Sequence, residues 1–199
     1  MAMKCLVNWT ALMLWIGGGW SAAAEPATRP AESGQQAAQP AACLVTPMRV
    51  GQFKGSDSYY YVEAETTFTD LKQTIDQLLP KIEAAINSGR VQPQGGLIFV
   101  YHGATTDPSK SFRLQVGVPT RGAVGEAPDG AMIRQLQPLR AASVIFSGEL
   151  LDLPQAYQKL YAELFAAGLI PTGETRELYL YWEGPESSNN VVLILAAVK

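Results

Sequence analysis

The chain has 199 residues, with 15 Lys and Arg against 18 Asp and Glu and a formal net charge of −3 at pH 7. It contains no basic run or stripe, so we expect no nucleic-acid partner. One histidine, His102, and two cysteines, Cys5 and Cys43, are too few for an ordinary transition-metal site, and we expect no metal and no cofactor.

The first 24 residues resemble a secretory signal peptide. Lys4 gives a basic start, an apolar stretch follows, and Ser21 to Ala24 offer small residues for cleavage before Glu25. The apolar stretch is short for a membrane span. We therefore expect residues 1–24 to be removed on export to the periplasm or out of a bacterial cell, leaving no stable membrane span. An uncleaved signal anchor is the alternative.

Residues 25–43 are rich in Ala, Pro and Gln and show no apolar period. Such a composition buries too little apolar surface to offset the entropy of ordering, so this segment is predicted to be a flexible tether. Residues 44–199 have the length and apolar content of a single domain. Cleavage would leave Cys43 as the only thiol, so no internal disulfide is expected.

The first half of this domain begins with predicted strands at 45–53 and 58–67. A helix follows, capped by Thr69 or Asp70, because Leu and Ile recur at helical spacing along LKQTIDQLLPKIEAAINSG. Pro80 should kink or restart this helix, since proline removes a hydrogen-bond donor and clashes with the preceding turn.

The second half repeats this order. Strands are predicted near 131–137 and 141–148, followed by a helix that Asp152 can cap, with Pro154 in its first turn. An apolar stripe from Tyr157 onward marks the buried face of this helix.

Two hairpins complete the duplication, because residues 96–119 and 177–198 both read as an aromatic-rich strand, a Gly turn and an apolar strand. Aligning Gly103 with Gly184 superimposes them. The sequence therefore predicts an α+β fold of duplicated strand–helix–strand–strand units. We expect an antiparallel sheet of about eight strands, two main helices on one face, and a ligand groove at the pseudo-two-fold seam.

Side chains alternate between the two faces of a strand, which divides the segment 177–182 into two sets. The apolar set is expected beneath the helices: Leu178, Leu180 and Trp182. The remaining set is then expected in the groove on the opposite face: Glu177, Tyr179 and Tyr181.

The first half contributes to the same predicted groove through Gly96, Ile98 and Val100. Gly96 is expected to leave space opposite Glu177. Of the tyrosines at 59–61, Tyr61 is the preferred groove residue, although packing within an edge strand explains these tyrosines equally well.

A carboxylate beside aromatic rings is suited to holding an amphipathic cation, because the rings supply apolar area and cation–π attraction. Burial would raise the pKa of Glu177. The plain alternative is that Glu177 is a solvated residue paired with Arg176 and that the tyrosines reflect β-propensity alone.

Residues 146–182 carry a family resemblance. Their motifs are Phe146-Ser147-Gly148, Leu153-Pro154-Gln155-Ala156-Tyr157, a Gly-x-x-Pro loop from Gly168, and Arg176-Glu177-Leu178-Tyr179. This string resembles the second half of the GyrI-like small-molecule-binding domain, also called the AraC-type effector-binding domain. The likeness extends over residues 45–199 and is weaker in the first half.

The resemblance implies a duplicated fold with a ligand groove between the copies, in which Glu177 helps to bind hydrophobic cations. It also implies a hydrolase alternative, because some relatives hydrolyse small electrophilic compounds with groove Glu and aromatic residues. The chain departs from regulator members by its export signal and by showing no helix-turn-helix, so transcriptional control is not expected. Glu149-Leu150 replaces the usual Pro-Tyr of the family.

Three functions are consistent with these observations. The favoured one is an exported module that holds a small amphipathic molecule, with a cation as the preferred case. The second is a hydrolase of small electrophilic compounds, with Glu177 as general acid–base and a Tyr hydroxyl assisting; Glu177 is the single catalytic candidate. The third is a non-catalytic envelope interaction module. The sequence specifies neither the ligand nor a protein partner.

Overall fold

The computed structural model describes residues 43–121, 125–127 and 130–199. The predicted signal peptide and all of the predicted tether except Cys43 lie outside the described residues. Within the described ranges, no helix has the length and apolar character needed to cross a membrane.

The described residues form ten strands and two α-helices in one antiparallel sheet system. The elements are β1 (Leu44–Val45), β2 (Arg49–Phe53), β3 (Ser56–Thr66), α1 (Leu71–Asn87), β4 (Ile98–His102), β5 (Phe112–Pro119), β6 (Gly125–Glu126), β7 (Met132–Leu136), β8 (Leu139–Ser147), α2 (Leu153–Ala166), β9 (Pro171–Tyr181) and β10 (Val191–Val198). A short 3-10 turn, Leu150–Asp152, precedes α2.

The order of the strands shows the duplication directly. It runs β1-β8-β10-β9-β4-β5-β3-β7-β6, with β2 also paired to β8. The first unit, β3-α1-β4-β5, and the second, β8-α2-β9-β10, therefore meet at the antiparallel β4–β9 pair, which is the pseudo-two-fold seam. The predicted α+β fold is confirmed. The predicted first strand is divided into β1 and β2, and β6 lies in the loop between the halves.

Both helices cover the same face of the sheet, which we call the helix face. α1 buries Leu78, Leu79 and Ile82 against it, and α2 buries Leu160 and Leu164. These residues recur at three- and four-residue intervals, as an amphipathic helix requires. The helices therefore share one apolar core with the strands of both units.

The ends of the helices follow the sequence signals. Asp70 and Asp152 occupy the N-cap positions, although neither side chain bonds to the helix backbone. Gly89 and Gly168 follow the two C-termini with positive φ values of 75° and 70°, a conformation that glycine adopts without steric cost. α1 runs without interruption from Leu71 to Asn87 with Pro80 inside it, so the helix does not restart there.

Candidate ligand-binding site

A cavity of about 900 Å³ lies on the helix face of the sheet. Its walls are one side of α1, the 3-10 turn and first residues of α2, and the two seam strands β4 and β9. This volume is within the range of small-molecule sites. The cavity is therefore formed where the two halves of the fold meet, and it lies on the helix face rather than on the opposite face.

The floor of the cavity is aromatic. Phe99 of β4 and Tyr179 of β9 lie with ring centroids 5.1 Å apart. Trp182 meets Tyr179 edge-on at 5.7 Å and an interplanar angle of 84°. Such tilted and edge-on contacts are favourable for aromatic pairs. The floor thus offers a flat-sided apolar ligand several ring surfaces.

The carboxylate of Glu177 lies behind this floor and is 3% exposed. Three phenol hydroxyls donate to it. Tyr157 of α2 donates to Oε1 at 2.5 Å. Tyr101 and Tyr179 donate to Oε2 at 3.0 and 2.9 Å. Among the described residues, no Lys, Arg or His forms an ion pair with Glu177.

Burial dominates the titration of this cluster. Removal from water raises the pKa of Glu177, and the three phenol hydrogen bonds oppose that rise without cancelling it. The pKa values of Tyr101, Tyr157 and Tyr179 are raised well above their ordinary value, first by burial and then by the adjacent carboxylate. The phenols are consequently donors at neutral pH, and the carboxylate is their acceptor.

Tyr179 connects the carboxylate to the cavity. Its ring forms part of the cavity floor, and its hydroxyl donates to Glu177. Glu177 itself does not line the cavity. A ligand resting on the ring of Tyr179 would therefore be close to a negative charge without displacing the phenols.

A β-bulge in β9 explains which residues reach the floor. Tyr179 pairs with Val192 and Tyr181 pairs with Val191, so Leu180 is an extra residue in β9. The bulge changes the alternation of side chains. Tyr179 and Trp182 consequently both face the helices, whereas Leu180 is 57% exposed.

The predicted division of faces is wrong for most of this segment. Glu177 and Tyr179 lie beneath the helices, and Leu178 lies on the opposite face. The prediction placed the apolar side chains of this segment beneath the helices, as if only that face of the sheet were apolar. The opposite face in fact carries a second apolar cluster, which we call the outer cluster: Tyr59, Tyr61, Ile98, Val100 and Leu136, with Met132 and Leu178 at its margin.

Of the residues predicted to face the groove, the structure places Glu177 and Tyr179 together beside the cavity. Tyr61 and Ile98 lie in the outer cluster, on the face away from the cavity, because strand alternation places them there. Tyr61 stacks on Tyr59 with centroids 5.3 Å apart. Tyr181, beyond the bulge, is half exposed and donates to Glu183 at 2.5 Å.

Four residues of the site were not predicted from the sequence. Phe99 and Trp182 line the cavity, and Tyr101 and Tyr157 donate hydrogen bonds to Glu177. A signal for Tyr157 was present, because it belongs to the apolar stripe by which α2 faces the sheet. Phe99 and Tyr101 also alternate correctly for the helix face of β4. Assigning the helix face as the ligand face would have identified them.

Gly96 acts by close contact rather than by leaving space. A Cβ on Gly96 would lie 2.0 Å from the carbonyl oxygen of Tyr179. Leu97, the residue after Gly96, accepts a hydrogen bond at its carbonyl from the N–H of Tyr179 at 3.0 Å. The residue opposite Glu177 in the sheet is Phe99, not Gly96. Gly96 thus allows the backbone contact that places Tyr179.

Arg176 pairs with Glu174, with 2.6 Å between Nη2 and Oε1, and not with Glu177. His102 ends β4 half buried, with 3.7 Å between its Nδ1 and Oε2 of Glu174, and burial lowers its pKa. Within the described residues, no group of three or more His, Cys, Asp or Glu is arranged to hold a metal.

The sequence profile of the GyrI-like small molecule binding domain matches residues 58–199. The chain belongs to this family. The resemblance seen in the sequence is thereby confirmed, and the chain contains a small-molecule-binding domain. Sequence comparison with curated proteins gives no match.

Solved structures share the fold of this GyrI-like domain. EcmrR in a DNA complex has a TM-score of 0.65 at 16% identity over 78% of this chain and 58% of its own. The EcmrR C-terminal domain has a TM-score of 0.59 at 16% identity, covering 76% and 96% of the two chains. SAV2435 bound to tetraphenylphosphonium has a TM-score of 0.54 at 11% identity, covering 77% of this chain and 94% of its own. At sequence identities this low, the similarity establishes a shared fold and nothing more.

Proposed function

We propose that this GyrI-like domain binds an amphipathic organic cation in the cavity between its two halves. The observation that carries the proposal is the Glu177 carboxylate, which is 3% exposed and accepts hydrogen bonds from three neutral phenols, with no ion pair to any described residue. A buried charge is strongly destabilising unless it is paired or well hydrogen-bonded. A cation on the cavity floor would supply the missing positive charge where screening by water is weak.

The aromatic floor supports the same ligand class. A cation over an aromatic ring is attracted to the negative ring face, and the attraction is stronger in a desolvated site. Tyr179 presents its ring to the cavity while its hydroxyl donates to Glu177 at 2.9 Å. Donation to a carboxylate increases the electron density of the ring, so the two effects reinforce each other.

The apolar walls favour a ligand with a hydrophobic body. Leu71, Ile75 and Leu79 of α1 and Leu97 before β4 line the cavity. A small hydrated cation would gain nothing from this surface, whereas an aryl or alkyl cation would bury apolar area against it. The structure of SAV2435, which shares this fold, is bound to tetraphenylphosphonium, a cation of this kind.

The test is ligand-induced thermal stabilisation of the full-length chain with tetraphenylphosphonium. A ligand that binds only the folded state raises the melting temperature, by an amount that grows with the logarithm of the ligand concentration divided by Kd. We expect stabilisation of the parent chain and its loss in Glu177→Gln. The matched control is Glu65→Gln, which removes the same charge from an exposed residue outside the cavity. Equal stabilisation of parent and Glu177→Gln would refute the proposal.

We further propose that the domain acts outside the cytoplasm and without binding DNA. The basic start, apolar stretch and small residues of positions 1–24 support export. The absence of a basic stripe supports a role away from nucleic acid. In cell fractionation, we expect a chain beginning at Glu25 in the exported fraction. An intact Met1 in the cytoplasmic fraction would overturn this proposal.

A further inference from the structure

We infer that Lys159 and Glu163 of α2 are positioning residues of the proposed cation site. They fasten α2 to residues 43–48, which we call the entry segment, and thereby hold Tyr157 of α2 against Glu177. Neither Lys159 nor Glu163 lines the cavity. This inference rests on the proposed function, because it concerns how the same site is held in its binding form.

Lys159 and Glu163 are four residues apart, so they lie on one side of α2. Nζ of Lys159 donates to the carbonyl oxygen of Val45 at 3.0 Å. The N–H of Met48 donates to Oε2 of Glu163 at 2.8 Å. The two side chains also form an ion pair, with 3.9 Å between Nζ of Lys159 and Oε1 of Glu163. Together these contacts bind a carbonyl and an N–H of the entry segment, and we call them the latch.

The entry segment is itself bonded to the edge of the sheet. β1, which lies within it, pairs with β8. The N–H of Thr46 donates to the carbonyl of Ile145 at 3.0 Å, and the N–H of Ile145 donates to Oγ1 of Thr46 at 2.9 Å. In the first turn of α2, Oε1 of Gln155 accepts from the thiol of Cys43 at 3.5 Å. The entry segment therefore joins the edge of the sheet to one side of α2.

The position of α2 determines whether the site is complete. Tyr157 donates to Glu177 at 2.5 Å, and Pro154 lines the cavity. α2 packs on the sheet through apolar side chains that include Leu160 and Leu164, and apolar burial is not directional. Hydrogen bonds require both distance and angle, so a displacement of α2 by about 1 Å would weaken the contact of Tyr157. The directional contacts of the latch oppose such a displacement.

The latch lies where it can open without unfolding of the core. The side chains of Lys159 and Glu163 are each 39% exposed, and exposed contacts of this kind open locally at low free energy. A cation that interacts with Glu177 favours the placed form of α2, and the closed latch favours the same form. Because such linkage is reciprocal, the latch and the cation should stabilise each other.

Calorimetric titration of the full-length chain with tetraphenylphosphonium tests the latch. Glu163→Ala removes the acceptor of the Met48 N–H, and we expect the affinity to fall roughly two- to thirtyfold. Glu163→Gln keeps a side-chain oxygen there and should retain most of the parent affinity, because an exposed ion pair contributes little. Gln158→Ala is the matched control, since Gln158 is an exposed residue of the same helix and is not four residues from Lys159 or Glu163.

Equal affinity of the parent and Glu163→Ala overturns this inference and leaves the proposed function standing. A loss that is equal in Glu163→Ala and Glu163→Gln also overturns it, because the hydrogen bond would then have no role. If the parent chain does not bind tetraphenylphosphonium, the proposed function and this inference fail together.

Hydrogen exchange of the parent chain gives a second test that needs no substitution. Saturation with tetraphenylphosphonium should slow exchange of the Met48 amide by at least about twofold, because a bound cation favours the closed latch. The reference is the amide of Ser109, which donates to the Asp107 carboxylate at 3.0 Å in the loop after β4. We expect its exchange to be unchanged. No slowing at Met48, or equal slowing at both amides, overturns the inference.

Discussion

Glu177 is a carboxylate whose burial and hydrogen bonds act in opposite directions. Removal from water favours its protonated form, whereas donation from Tyr101, Tyr157 and Tyr179 favours its ionised form. The balance raises the pKa of Glu177. A cation is attracted to the ionised form of Glu177, whereas burial in the empty protein favours the protonated form. Binding of a cation should therefore lower the pKa of Glu177.

This balance predicts how stability depends on pH. The pKa of Glu177 is raised in the folded protein above its ordinary value of 4.5, so its protonated form stabilises the fold. That contribution is complete below about pH 4.5 and is lost as the pH rises through the folded-state pKa. We expect the melting temperature of Glu177→Gln, relative to the parent, to increase from pH 4.5 towards neutral pH. A constant difference over this range contradicts the raised pKa.

The hydrogen bond from Tyr157 to Glu177 can be tested by removing a single hydroxyl group. Tyr157→Phe removes a hydroxyl that donates to Glu177 at 2.5 Å. Hydrogen bonds to charged groups contribute more than neutral ones, so we expect the free energy of unfolding to fall by about 1 to 3 kcal/mol in urea titration at neutral pH. The pKa of Glu177 should rise further, because a hydrogen bond that lowers it is lost.

Tyr181→Phe is the comparison for Tyr157→Phe. Tyr181 is half exposed on the other side of the bulge and donates to Glu183, which is at the surface. Surface substitutions usually change the free energy of unfolding by no more than about 0.5 kcal/mol. An equal loss in both variants would show that the phenol contacts of Glu177 have no special importance for the fold.

At the scale of elements, β9 determines the site through its bulge and its contact with the start of β4. The bulge at Leu180 places Tyr179 and Trp182 on one face. Gly96 permits the approach of the two backbones, because any Cβ there would lie 2.0 Å from the Tyr179 carbonyl oxygen. The aromatic floor is therefore positioned by backbone geometry as well as by side-chain packing.

Gly96→Ala tests this positioning. The added methyl must displace the backbone of β9, so we expect a loss of about 2 kcal/mol or more in the free energy of unfolding and weaker cation binding. Gly95→Ala is the matched control, since a Cβ at Gly95 would make ordinary contact with the Pro119 ring, 3.4 Å from Cγ and 3.9 Å from Cδ. Comparable stability of the two variants in urea titration would show that the β4–β9 contact is not tight.

The elements themselves could be predicted from the sequence, because their signals are local. Asp70, Asp152 and the glycines after the helices mark helix ends, and the duplicated hairpins indicate the β4–β9 seam. The faces of β9 could not be predicted, because the bulge at Leu180 and the outer cluster depend on contacts between distant strands. Pro80 does not divide α1 into two helices, because a single helix spans Leu71–Asn87.

At the scale of the whole molecule, a nearly symmetric fold carries an asymmetric site. The two units are related across the β4–β9 pair, yet Glu177 of the second unit is paired in the sheet with Phe99 of the first, which carries no charge. The tyrosines that hold it come from both halves, Tyr101 from the first unit and Tyr157 and Tyr179 from the second. The site is thus complete only in the assembled domain. Glu177 was predicted from the strand motif, but its three phenol partners required the packing of α2 on the sheet.

The central claim is that the cavity selects positive charge by means of Glu177. Tetraphenylphosphonium and tetraphenylborate test it most directly, because they have nearly the same shape and opposite charge. In calorimetric titration of the full-length chain, we expect the phosphonium to bind at least about tenfold tighter than the borate, since a difference of about 1.4 kcal/mol is well within the range of buried electrostatics. Glu177→Gln should reduce that preference. Equal affinity of the parent chain for both ions would contradict the account.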